Sequence, residues 1–230
     1  MLYVYAISEN PLLPGVNGLR DAPLQMIGET GNGGPFAIAS EHPESPVDAG
    51  EADLWAHESV VEAAMEDGAV LPMRLGSSIA GSRELIHELR SRSGEFRRAL
   101  ARVRGAVELG VRASIDSGAV EGAAIEADGP LAGAAAGPGT AYMLGQLQRT
   151  RAAEEVAAII HEPLDRLARD SRSRLEGNAP QCLAAAYLVD RAQLEPFRAR
   201  VEELESEHAL DIVCTGPWPP YSFVCAKEGP

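Results

Sequence analysis

Lysine is almost missing from this 230-residue chain. Of its 20 basic residues only Lys227 is a lysine, and 34 carboxylates outnumber them. The resulting net charge of −14 argues against general nucleic-acid binding, which rests on a positive field facing phosphates. Aromatic residues are scarce, at 5%, and no RGFGFV-like run occurs, so base stacking on a sheet surface is not expected either. No apolar run approaches the roughly 18 residues that would mark a membrane span. The opening MLYVYAISEN has neither a basic leader region nor a cleavage pattern, so no signal peptide is read and the cytoplasm is the expected location. Three cysteines make no disulfide framework. Cys214 and Cys225 flank a proline-rich corner and could face each other, but in a reducing compartment they and Cys182 are expected as small buried thiols.

Catalytic and metal signatures are also missing. The histidines are His42, His57, His87, His161 and His208; no two stand four apart, and none lies in an HExxH or CxxC context. There is no GxSxG elbow, and Ser77–Ser78 has no evident base beside it. GNGG at 31–34 lacks the P-loop lysine and the GxGxxG spacing, so it reads as a turn. No enzyme, cofactor or metal is expected. His57, on the inner side of a helix, is read as a hydrogen-bonded core residue.

The chain is nevertheless 45% hydrophobic, enough for real cores, and its length fits one large or two small domains. LYVYAI (2–7) is a continuous apolar run and reads as a buried strand; PLQMIGE (23–29) and PFAIASE (35–41) are two more. A helix over 50–67, with Asp48 as a possible cap, leads to the strand AVLPMRLG (69–76), which ends in a glycine turn. RELIHELRSR, capped by Ser82, and EFRRALARVRG are helical, with Gly94 dividing them, and VELGVRASI (107–115) is a strand. The Gly/Ala-rich stretch 116–139 reads as a linker. Beyond it a long helix is expected from Thr140 through DSRSRL, kinked or restarted at Pro163. CLAAAYLVD (182–190), a helix over 193–208, LDIVCTG and YSFVCA complete the pattern. The expectation is an α+β chain: an N-terminal domain (1–115), the linker (116–139) and a C-terminal domain (140–230) led by the long helix. Each domain is expected to carry a small, mostly antiparallel sheet with helices on one face, ferredoxin-like in the second domain and modified in the first.

Charge is unevenly placed. Residues 41–67 hold nine acids and no Lys or Arg, whereas 83–104 hold seven arginines against Glu84, Glu88 and Glu95. These are either solvated faces that complement each other or a pair of docking patches.

The most improbable stretch is TGPWPPYSF (215–223). Its prolines make a stiff extended corner carrying an indole. Trp218 is expected either to pack onto a helix or the other domain, or to serve as a partner contact. This stretch resembles the signature of the gas vesicle accessory family GvpL/GvpF. LYVYAI is similar to that family's first strand, VLPMRLG (70–76) to its central motif, and the helix carrying His57 precedes that motif by a similar interval. One departure is Leu75, where the family often has Phe before the glycine. The resemblance covers most of the chain. It implies a two-domain α+β protein with ferredoxin-like parts, needed for making gas vesicles in the cytoplasm. Such a protein would contact the main shell protein and other accessory gas vesicle proteins, as an assembly factor or minor shell-associated component, without catalysis or cofactor. The motif residues it singles out are Leu71, Pro72, Arg74, Gly76, Gly216, Pro217, Trp218, Pro219, Pro220 and Tyr221. Arg74 is expected to be partly buried and paired with a carboxylate of the 48–67 helix or with backbone carbonyls. The competing expectation is a small-molecule-binding or regulatory α+β module with a pocket between the domains.

Overall fold

The computed structural model describes residues 1–11, 13, 15–28, 34–43, 50–114, 138–175, 181–208 and 210–224. It is α+β, and the chain divides into two compact units: Met1–Glu108 with Pro217–Pro230, and Leu109–Gly216. The division therefore does not follow the expected 1–115 and 140–230 domains. It falls within one strand on the way in and at the proline corner on the way out, because the chain's last segment returns to the first unit. The linker expected over 116–139 lies outside the described residues as far as 137, as do Asp48, Cys225 and most of the GNGG turn.

The first unit is built on β1 (Leu2–Ser8), β2 (Leu24–Ile27), β3 (Phe36–Glu41), β4 (Val70–Pro72) and β5 (Ser78–Ile79), in the order β2-β3-β1-β4 with β5 also on β1. β1 is antiparallel to β3, from Leu2 opposite Glu41 to Ser8 opposite Phe36, with a register shift between Val4 and Ala6. That shift is a bulge in which Tyr5 is the extra residue, and it sets which side chains face which layer. Tyr3, Tyr5 and Ala6 join a core with Val60, Val61 and Ala64 of α1 (Glu51–Glu66). Val4 and Ile7 instead line a cleft together with Leu85, Leu89 and Phe96 of α2 (Ser82–Ser91) and α3 (Ser93–Val103). Helices thus cover both faces of this sheet, not one, and every β1 residue is buried, as its unbroken apolar run requires. The two helices α2 and α3 part at Arg92, two residues earlier than Gly94.

The second unit has a βαββαβ order: β6 (Ala106–Ser114), α4 (Pro138–Asp165), β7 (Asp170–Leu175), β8 (Gln181–Asp190), α5 (Leu194–His208) and β9 (Asp211–Trp218). The sheet order β7-β8-β6-β9 is that of a ferredoxin-like fold. Its core shows both sequence periods directly. Leu109, Val111 and Ala113 alternate on β6, and Leu183, Ala185, Tyr187 and Val189 on β8. Ala157, Ile160 and Leu164 of α4, with Phe197, Val201 and Leu204 of α5, cover that face at helical spacing.

Two elements differ from expectation. DSRSRL is not the end of the long helix but β7, antiparallel to β8 from Asp170 opposite Leu188 to Leu175 opposite Leu183. The helix runs through Pro163 and stops two residues later. β7 is an edge strand, and edge strands carry polar and charged residues that hide the strand pattern. At the other edge, β9 continues through Pro217 and Trp218, since an edge strand needs no donor at a proline. YSF is then a 3-10 turn (Tyr221–Phe223), not a strand.

Candidate functional site

The central motif is shaped by a buried chain of hydrogen bonds. Leu71 and Pro72 are buried on β4, opposite Ile7 and Ala6 of β1. The chain then turns, with the Ser77 amide bonded to the Arg74 carbonyl at 3.0 Å. Gly76 closes the turn at φ +88, a backbone conformation only glycine adopts freely. His57, fully buried on α1, has Nε2 3.0 Å from the Met73 carbonyl, so Nε2 carries the proton. Nδ1 must then accept, and Tyr3 Oη, 2.8 Å away, donates to it. The same hydroxyl accepts from the Gly76 amide at 3.1 Å. One line of donors thus ties both ends of the turn to β1 and α1. Burial holds the His57 ring below its ordinary pKa, against the Met73 carbonyl, and pushes the Tyr3 hydroxyl up to about 12.

Beside this line lies a second buried group. Tyr5 Oη accepts from the Leu19 amide at 2.7 Å and meets Ser40 Oγ at 2.7 Å, and Ser40 Oγ lies 2.8 Å from His42 Nε2. The Tyr3 ring packs against Tyr5 and His57 at centroid distances of 4.8 and 5.7 Å. Ser40 and His42 are within nucleophile–base distance, but Ser40 is completely enclosed and a substrate has no access to it. Their geometry fits a satisfied polar core. Among the described residues no group of three or more His, Cys, Asp or Glu could hold a metal, and no helix is long and apolar enough to cross a membrane.

The C-terminal corner is anchored in the same unit. Pro219 and Pro220 are buried, and the Tyr221 and Phe223 amides bond back to their carbonyls at 2.8 and 3.0 Å. Tyr221 Oη donates to Glu58 of α1 at 2.8 Å. Burial raises the Glu58 carboxyl pKa, this hydrogen bond lowers it, and Glu62 raises it. Ser222 gives both its amide and its hydroxyl to Glu108, at 2.8 and 2.7 Å. Phe223 is fully buried, with the Arg102 guanidinium 5.7 Å from its ring centre.

Comparison with known proteins decides the family. The family described as gas vesicle synthesis protein GvpL/GvpF matches residues 1–225. This chain belongs to the GvpL/GvpF family. It is similar to gas vesicle protein F of Streptomyces sp. (strain CB03234), 33% identical over 96% of this chain and 98% of that one. Gas vesicle protein L of the same strain is 31% identical, over 98% of this chain and 93% of that one. The crystal structure of GvpF from Anabaena sp. PCC7120 superposes with a TM-score of 0.81 over 99% of this chain and 97% of that one, at 22% identity, and so shares the fold.

On this GvpL/GvpF chain the motif residues fall into two groups. Leu71, Pro72, Gly76, Pro219, Pro220 and Tyr221 build the turn and the corner, and His57 locks the turn. Gly216 is a second positive-φ glycine, at φ +109, and Pro217 is exposed. Arg74 and Trp218 point outward. Arg74 does not make the expected structural pair: it is exposed, and its side chain has no hydrogen bond or ion pair among the described residues. It is the first residue of the turn, immediately before the Leu75–Gly76 corner. The Trp218 indole is 47% exposed, because the prolines, Tyr221 and Phe223 fill the corner instead. Sequence reasoning missed Tyr3, Tyr5, Glu58 and Glu108. Only the Tyr-x-Tyr spacing in β1 hinted at their buried partners.

Proposed function

We propose that this chain acts in the cytoplasm as a non-catalytic helper of gas vesicle formation that binds the main shell protein, with other accessory gas vesicle proteins as further partners. Family membership over nearly the whole chain ties it to gas vesicles. The observation that carries the finer reading is the division of the two family motifs. Their hydrogen-bonded and apolar residues are consumed in rigid support, while one cation and one indole stand outside. Arg and Trp on a rigid support are the side chains most used as interface anchors. A shell that excludes water needs subunits with an apolar face, and such a face aggregates unless covered before assembly. An acidic protein with a net charge of −14 stays dispersed while it covers and delivers them. The test is co-purification of the tagged chain with the shell protein, together with deletion in the host. Retained binding and missing vesicles are expected. Absence of binding together with normal vesicles would overturn the proposal.

A further inference from the structure

The turn that carries Arg74 and the corner that carries Trp218 are far apart in sequence, yet they meet at one edge of the first sheet. β4 pairs with β1 at Ala6–Ser8, and β5 pairs with it at Leu2–Tyr3. Both lie on the side of β1 away from β3, and the Arg74 turn joins them there. The closing segment of the chain passes the same edge. Tyr221 Oη donates to Glu58 of α1, on one face of the sheet. Phe223 lies against Arg102 of α3, and Val224 lines the cleft between α2–α3 and β1, on the other face. Three residues reach at most about 11 Å, so the segment changes face around an edge of the sheet and not through it. Met73, Ser77, Ser78 and Ile79 line that cleft together with Val224, which makes the edge β4–β5 and not β2.

Neighbouring residues of α1 hold both pieces. His57 donates to the Met73 carbonyl at 3.0 Å, and Glu58 accepts from Tyr221 at 2.8 Å. Arg74 follows Met73 directly, and Trp218 stands three residues before Tyr221. One exposed cation and one half-exposed indole thus share a single support. We propose, on the basis of the shell-binding role above, that Arg74 and Trp218 are the two halves of one site that grips one shell subunit. Trp218 lies against the subunit's apolar surface, and Arg74 pairs with a carboxylate beside it. A guanidinium matches a carboxylate in geometry as well as in charge. α1, next to the site, belongs to a stretch of nine acids without Lys or Arg, in a chain of net charge −14. A carboxylate that arrives misplaced is repelled there and is admitted at Arg74. The ion pair therefore sets the orientation of the subunit, and the indole supplies the burial.

Capture of co-expressed shell protein by the tagged full chain tests it, with Arg74→Ala, Trp218→Ala and the double variant. Both positions are exposed, and circular dichroism and the melting temperature confirm folding. With one shared site, each single variant should lose about tenfold or more in apparent affinity, and the double variant the product of the two losses. Two separate sites would each keep a subunit of their own, so neither single variant would lose most of the capture. Arg74→Lys should bind better than Arg74→Ala, and Arg74→Glu worse, because the partner group is a carboxylate. Wild type that captures shell protein while either single alanine variant keeps most of it overturns the shared site and leaves the shell-binding role standing. Arg74→Glu binding as well as Arg74→Ala overturns the carboxylate pairing. Wild type that captures no shell protein overturns the role and the site together.

Discussion

Replacing Tyr3 by phenylalanine removes one oxygen from the centre of the buried line. Two groups lose their partner: His57 Nδ1, which accepted from the hydroxyl at 2.8 Å, and the Gly76 amide, which donated to it at 3.1 Å. His57 is fully buried, so no water replaces the lost donor, and an unsatisfied buried group costs about 1–3 kcal/mol. Gly76 is only partly buried and recovers some of its loss to solvent. The sum is about 2–4 kcal/mol, a large share of the roughly 5–15 kcal/mol that keeps a protein folded. At about 2–4 °C per kcal/mol, the melting temperature falls by roughly 5–15 °C. The loss is local to the turn, so limited trypsin digestion should show faster cutting after Arg74, by about thirtyfold for 2 kcal/mol when opening is at equilibrium. Calorimetry and peptide mass mapping read both effects. A melting point within 1 °C of wild type with unchanged cutting after Arg74 would refute the role assigned to this hydroxyl.

Gly76→Ala should cost about 1–2 kcal/mol in thermal unfolding; the added methyl meets nothing within 4 Å, so the cost comes from the φ of +88 alone. Trp218→Ala and Arg74→Ala should each leave the melting temperature nearly unchanged, within about 0.5–1 kcal/mol for side chains so exposed, while co-purification with the shell protein drops. A marked loss of stability would mean the residue packs and does not present. His42 and His57 are both held below their ordinary pKa by burial, so each binds a proton more readily unfolded than folded. Stability is therefore fully present above about pH 6.5 and falls as pH drops below it, by up to about 1.4 kcal/mol per pH unit for each histidine. His57→Gln should remove one proton's worth of that slope in urea titrations at stepped pH.

The sequence is most readable where pattern and burial agree. LYVYAI is apolar throughout because helices cover both faces of β1, although the run by itself does not say that two layers are involved. The alternation in VELGVRAS and CLAAAYLVD marks strands covered on one face, and the second unit follows from it. DSRSRL hides its identity because it pairs on one side only: Ser171 and Ser173 fall opposite Tyr187 and Ala185 of β8, the arginines fall on the other face, and no apolar alternation marks the strand. Arg74 misleads for the opposite reason. It follows an apolar strand, and only the turn at Gly76, set by Tyr3 and His57 from 73 and 19 residues away, decides that it faces water. Glu58 and Glu108 are two carboxylates among 34, and nothing local distinguishes them from solvated ones.

The improbable PWPPYSF stretch is explained by what it keeps still. Prolines reduce the freedom of the unfolded chain and fix the backbone on either side of the indole. Pro219 and Pro220 are buried, Tyr221 is held to α1 and Ser222 to Glu108, so little motion remains for the corner to lose when a partner arrives. Association is opposed by the ordering of side chains and loops, and a contact residue on a fixed support loses less in binding. The same holds for Arg74, whose turn is clamped by His57 and Tyr3. Both motifs therefore combine strong internal constraint with an outward side chain of the kind that anchors contacts. A purely structural motif would bury its largest group, and here the largest group is the one left half exposed.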